Sequence, residues 1–165
     1  MKKDNKCKKQ KNRGKQFENQ IKQAFENIDG GFIQRLKDTS KRQKGNDNPC
    51  DFIAYKQPFL FLLECKSVRK NTLDWGKIRP NQWDSLLKYD RLPGVICGYL
   101  IWFIDHDITV FVPATQLALH KQRGNKSINV KDLNQLIHCN IEGKKKRVLF
   151  NYDLSNLFHF VVDWY

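Results

Sequence analysis

Three ionisable side chains stand in one of the most apolar parts of the chain. The stretch PCDFIAYKQPFLFLLECK, residues 49 to 66, reads as two short strands joined at Gln57-Pro58, and it carries Asp51, Glu64 and Lys66. A buried strand gains nothing from an ionised carboxylate unless that charge is paired or used. If the hairpin loop has two or four residues centred on Gln57-Pro58, Asp51 lies directly opposite Glu64. Period-two alternation then puts Lys66 on the same face. A loop of odd length would break this register. Two carboxylates that close repel each other unless a cation sits between them, and hard oxygen ligands with room for water describe a Mg²⁺ site. Lys66 beside the metal would orient or help deprotonate an attacking water and would stabilise charge building on a scissile phosphate. The plainer alternative is a surface strand with a cross-strand carboxylate pair and a snorkelling lysine.

A helix must bring the third acid. From Gln16 to Ile28 the residues Phe17, Ile21, Ala24, Phe25 and Ile28 recur at helical spacing, and Asp29-Gly30-Gly31 ends the run. At about 100° per residue, Glu18 lies at the edge of this apolar stripe and Glu26 on the far face. Glu18 therefore looks toward the sheet and Glu26 does not.

The other elements follow from the same patterns. GFIQRL at 31 to 36 reads as a strand, and KDTSKRQKGNDNP after it as a polar loop. RPNQWDSLLKYDR begins with Pro80 at a first-turn position and reads as a helix that Pro93-Gly94 ends. VICGYLIWFI and ITVFVP are strands around the turn Asp105-His106-Asp107, while ATQLALHK and NVKDLNQLI read as short helices. The type of the apolar C-terminal segment NYDLSNLFHFVVDWY is left open. Helix, three strands, helix, two strands implies an α/β domain, a mixed sheet flanked by helices, with the helix from 79 to 91 as the crossover of a parallel βαβ unit.

At 165 residues, 40% of them hydrophobic, the chain suits one domain with a real core. Thirty Lys and Arg against 17 Asp and Glu give a net charge of +13, which favours a polyanionic partner, with nucleic acid first. The excess gathers in residues 1 to 15 and again in 121 to 147. Residues 1 to 13 are too charged to fold alone, so the expected organisation is a flexible basic arm over 1–13 and a folded domain over 14–165. The five cysteines show no metal-binding spacing and fit a reducing cytoplasm. No apolar run follows the N-terminal lysines, and the longest one, residues 94 to 104, is too short for a bilayer, so no signal peptide and no membrane partner are expected.

The pattern of Asp, then Glu-x-Lys, after a helical Glu resembles the restriction-endonuclease-like PD-(D/E)xK nuclease superfamily. More narrowly, NRGKQFE at 12 to 18, CDFIAYKQPFLFLLECKS at 50 to 67 and TLDWGKIRPNQWDSL at 72 to 86 resemble the RecU family of Holliday junction resolvases of Gram-positive bacteria and their phages. The similarity runs from Asn12 to about Asp132. It implies a restriction-endonuclease-like fold and a Mg²⁺-dependent homodimer, with Mn²⁺ a possible substitute, that nicks two strands of a four-way DNA junction symmetrically in recombination and repair. Carried over by position, Asp51 and Glu64 are metal ligands and Lys66 is the catalytic lysine. Glu18 is the helical acid assisting the metal, and Gln82 is the polar residue closing the site. Arg13 and Lys15 contact DNA, and Lys9 and Lys11 of the arm join them. Cys50 stands between Pro49 and Asp51, so the literal Pro-Asp pair is absent. The loop from Lys37 to Asn48 is shorter than the segment that forms a projecting stalk in the bacterial members.

Two other functions compete with the resolvase. One is a nuclease of the same superfamily with a different DNA substrate, since substrate choice lives in loops. The other is a non-catalytic nucleic-acid-binding module, against which the complete set of Glu18, Asp51, Glu64 and Lys66 argues. Trp75, Trp83, Trp102 and Trp164 are expected in core or dimer packing ahead of base stacking. The four histidines lack partner spacing and are expected at the surface or in the core. The run Lys144 to Arg147 is expected as a solvated turn able to meet phosphates.

Overall fold

The structure, a computed structural model, describes the backbone of residues 2–36, 48–147 and 149–164 and, within these, the side chains from residue 13 onward. Helix α1 (Lys2–Glu26) opens the chain. It starts well before Gln16, so the segment expected as a flexible arm forms its first turns. The physical reason is local: residues 2 to 13 contain no proline or glycine, lysine and glutamine are good helix formers, and Gly14 alone costs about 1 kcal/mol. Phe17, Ile21 and Phe25 are fully buried on one side of α1, as their spacing requires. A turn with Gly30 at φ 65 leads into β1 (Gly31–Arg35).

Strands β2 (Phe52–Lys56) and β3 (Phe59–Val68) form the hairpin that carries the charged residues. Gln57 and Pro58 are its two-residue turn, so Lys56 pairs with Phe59 and Phe52 with Leu63. The chain continues through β4 (Thr72–Asp74) and a 3₁₀ turn at Trp75–Lys77 into α2 (Pro80–Tyr89). This helix is the expected crossover, because β5 (Val95–Phe103) lies parallel to β3. After the Asp105-His106-Asp107 turn, β6 (Ile108–Pro113) returns antiparallel to β5. Then come α3 (Ala114–Gln122), β7 (Ser127–Asn129), a 3₁₀ helix at Val130–Gln135, β8 (Cys139–Asn140), β9 (Glu142–Lys146), β10 (Leu149–Asp153) and α4 (Ser155–Trp164).

The main sheet has six strands in the order β1-β2-β3-β5-β6-β8, mixed because β3 and β5 run parallel and the other neighbours antiparallel. Helices cover both faces, which makes β5 apolar at almost every position. Ile96, Leu100 and Trp102 enter the core beneath α1 and α4, whereas Cys97, Tyr99, Ile101 and Phe103 enter the core beneath α2 and α3. Gly98 belongs to the first of these faces: a Cβ there would lie 2.4 Å from Cε2 of Phe111, whose ring crosses the strand at that point.

Several local expectations are revised. The NVKDLNQLI segment is a 3₁₀ helix fixed by a capping box between Asn129 and Asp132. The Lys144 to Arg147 run is the exposed strand β9 and its turn, because pairing with β10 holds it extended. The C-terminal segment divides into β10 and α4. The loop compared with a stalk falls, apart from Asn48, outside the described residues. Among the described residues no helix is long and apolar enough to cross a membrane.

Candidate active site

The hairpin register decides where the acids meet. Asp51 extends β2 by one residue, its amide donating to the Leu63 carbonyl at 3.1 Å, while Leu36 N donates to the Asp51 carbonyl at 2.9 Å. The regular pairing ends at Phe52 with Leu63, and the Asp51 amide bonds to Leu63 rather than to Glu64. The strand leaves the register there, so Asp51 is not the direct cross-strand partner of Glu64 that an even loop predicts. The Asp51 carboxylate accepts a hydrogen bond from the Cys65 amide at 2.8 Å, which fixes the side chain beside the strand carrying Glu64. The Glu64 carboxylate is gripped on both oxygens. Lys66 Nζ donates to Oε1 at 2.5 Å, and Gln82 Nε2 donates to Oε2 at 2.7 Å. Glu64 is 2% exposed, Lys66 16% and Gln82 3%, so the arrangement is set into the body of the protein but open at the lysine.

Gln82 arrives there because α2 starts at Pro80, which puts position 82 in the first turn with its side chain toward the sheet. Asn81 beside it ties α2 to the chain before Asp51, donating to the Asn48 carbonyl at 3.2 Å. The helix start and the strand start are thus held together across the site.

Burial dominates the electrostatics. It pushes the Glu64 carboxyl up from 4.5 to about 7, Asp51 adding to the rise while Lys66 and Arg79 oppose it. Asp51 is also raised, by burial first, against the Cys65 amide and the charges of Lys66, Arg35 and Arg79. Cys50 lies within the same field and its thiol is pushed up to about 12, chiefly by burial and then by Glu64 and Asp51.

Glu18 comes to the rim of this group from α1 and forms an ion pair with Arg35 at the end of β1. Glu26 instead points outward and pairs with Lys22 at 2.5 Å. Among the described residues no three Asp, Glu, His or Cys side chains close into one metal-binding group, so Asp51 and Glu64 form the pair and Glu18 reaches it through Arg35. The turn of α1 around Gly14 lies over the end of β3, where a Cβ at Gly14 would be 3.6 Å from Ser67 Oγ. That puts half-buried Arg13 and exposed Lys15 near the end of β3. Lys9 and Lys11 lie further up α1, their side chains outside those described.

The sequence reading did not include Arg35 and Arg79, the two guanidinium groups acting on the carboxylates. The β1 register carried the signal for Arg35, since it pairs with Phe52, the residue after Asp51. The donor set suits a hard divalent cation: the buried Glu64 carboxylate feels the charge of half-buried Asp51, and Gln82 Oε1 is buried without a hydrogen-bond partner. His120, by contrast, is a satisfied core residue that meets Ser127, Asn125 and Asp132.

Comparison with known proteins gives two findings. The family model described as RecU, recombination protein U, matches residues 35–153. Among solved structures, Hjc of Archaeoglobus fulgidus, titled a Holliday junction resolvase from an archaeal hyperthermophile, aligns with a TM-score of 0.46 at 16% identity, covering 66% of this chain and 82% of that one. No curated protein matches the chain.

Proposed function

The chain belongs to the RecU family, and from that premise we propose that it is a divalent-metal-dependent endonuclease that resolves four-way DNA junctions by paired nicks. The observation that carries the reading is the Glu64 carboxylate, buried near Asp51 and held between Lys66 and Gln82. A structural strand has no use for so costly an arrangement.

In this reading Asp51 and Glu64 hold the ion, Mg²⁺ by preference for hard oxygen ligands and Mn²⁺ as a substitute, and Glu18 assists from the rim. When bound, the ion supplies Lewis-acid charge at the scissile phosphate and lowers the pKa of water in the site. The chain's own residues do the rest. Gln82 holds the Glu64 carboxylate in one orientation. Lys66 orients the attacking water and offers its ammonium to the charge that grows on the phosphate as one P–O bond forms and another breaks. Arg13 and Lys15, with Lys9 and Lys11 further along α1, hold the phosphodiester backbone without reading sequence. Two symmetric nicks need two active sites, hence a homodimer. In this reading the enzyme meets chromosomal or phage DNA in the cytoplasm of a bacterial cell.

The test is cleavage of labelled four-way junction, Y-fork, duplex and single strand, with Mg²⁺ and with chelator. Paired, Mg²⁺-dependent nicks in the junction are the expected result. Equal cleavage of all four substrates would favour a nuclease of broader substrate range. Binding without cleavage in any metal would favour a non-catalytic module.

A further inference from the structure

Beside α2 lies an open pocket of about 580 Å³, whose lining includes Trp75, Gly76, Pro80, Trp83, Asp84 and Lys121. Its two indoles are half-buried and set edge to face, with ring centroids 5.7 Å apart. Neither indole is loose. Trp75 Nε1 donates to the Asn125 carbonyl at 2.7 Å, and Trp83 rests on the buried ring of Tyr99 at 6.4 Å. Lys121 Nζ stands 4.8 Å from the Trp83 centroid and 5.9 Å from that of Trp75. Lys77, Arg79, Arg123 and Lys126 are exposed on the same turn, helix start and loop, against Asp74 and Asp84. The pocket shares α2 with the carboxylate site: Gln82 bonds Glu64, and the next residue, Trp83, forms the pocket wall.

We propose that this pocket receives one unpaired nucleobase of the DNA bound at the carboxylates, stacked on one indole with the other against its edge, while Lys121 and its basic neighbours hold the flanking phosphates. Fixed aromatic faces with Lys121 at the pocket and further basic side chains exposed on the neighbouring segments match a base joined to a charged backbone. A neutral aromatic metabolite would leave the cations unused. A continuous duplex keeps its bases stacked inside, whereas a branch point or bulge can present one. The pocket therefore distinguishes interrupted from uninterrupted DNA by chemistry rather than by shape. Lys121, now over the rings, moves aside to a phosphate as the base enters. This inference rests on the DNA-cleaving reading of the adjacent site.

The test measures binding of full-length Glu64→Gln protein to a duplex with one unpaired base and to the same duplex with that nucleotide abasic. The base-bearing DNA is expected to bind about 5- to 100-fold more tightly, the range that loss of one stacked base produces. The added pair Trp75→Leu and Trp83→Leu should erase the difference, and the corresponding phenylalanine pair should keep most of it. Equal affinities for the two duplexes, or a preference that survives in the folded leucine variant, would overturn the proposal. If the leucine variant fails to fold, tryptophan emission of the parent protein decides. Saturable quenching by the base-bearing duplex and not by the abasic one supports the pocket, and equal response to both overturns it. The cleavage assay, with loss in Asp51→Asn, judges the nuclease reading independently, so the two can fail separately.

Discussion

Replacing Glu64 by glutamine should make the metal-free protein more stable in alkaline buffer and leave it nearly unchanged in acid. In the folded chain this carboxyl is raised from 4.5 to about 7 by burial and by Asp51. A group raised in this way contributes stability that is fully present below 4.5 and is lost as pH rises through about 7. At about 1.4 kcal/mol for each pH unit between those values, ionising Glu64 costs about 3 kcal/mol. Glutamine has the shape of the protonated acid and never ionises, so it avoids that loss. For a chain of this size the difference corresponds to a Tm about 6–12 °C higher for Glu64→Gln at pH 8.5 in chelator. Thermal unfolding from pH 4.5 to 9 measures it, with the two curves converging below pH 5. Mg²⁺ should raise the Tm of the unaltered protein at pH 8 more than at pH 5.5, because binding favours the ionised carboxylates, and should do little for the variant. Parallel curves at all pH values, or equal Mg²⁺ stabilisation of both proteins, would refute the reasoning.

Three further outcomes follow from the same geometry. Lys66→Ala should lower the single-turnover cleavage rate by about two to four powers of ten, since its ammonium lies 2.5 Å from Glu64 at the open side of the site. An unchanged rate would remove the lysine from the chemistry. Glu18→Gln should slow cleavage more than Glu26→Gln does, because Glu18 pairs with Arg35 beside Asp51 and exposed Glu26 pairs with Lys22; equal rates would separate α1 from catalysis. Deleting residues 1 to 11 removes Lys2, Lys3, Lys6, Lys8, Lys9 and Lys11 against Asp4. If about three of these meet phosphates, the slope of log K against log salt should flatten by about 2 to 3, and an unchanged slope would take this segment off the DNA.

The hairpin shows why much of this site is legible in sequence. A period-two strand and a two-residue turn leave one register from Phe52 to Leu63, which brings Asp51 and Glu64 to the same end of the hairpin, although Asp51 itself bonds to Leu63 out of that register. The helical stripe of α1 likewise separated Glu18 from Glu26. What stayed hidden depends on contacts between distant segments. Arg35 is an ordinary strand-end residue until β1 pairs with β2 and α1 brings Glu18 to it. The short pairing of Thr72–Asp74 with Ser127–Asn129 joins segments too brief to show a period. The start of α1 was misjudged because charge density was weighed above the helix propensity of lysine, and Lys144–Lys146 was read as a turn because nothing apolar marks a strand exposed on both faces.

The central claim, that Asp51 and Glu64 form a metal-dependent cleavage centre separate from the surfaces that hold DNA, is tested most directly by one comparison. Four-way junction binding and single-turnover cleavage are measured side by side for the unaltered protein and for Asp51→Asn, with Mg²⁺ present. Cleavage should disappear while junction affinity stays within a few-fold, because the variant loses a metal ligand and keeps the phosphate contacts. Cleavage retained above about a tenth of the original rate would contradict the account, since loss of a required metal ligand costs far more than that.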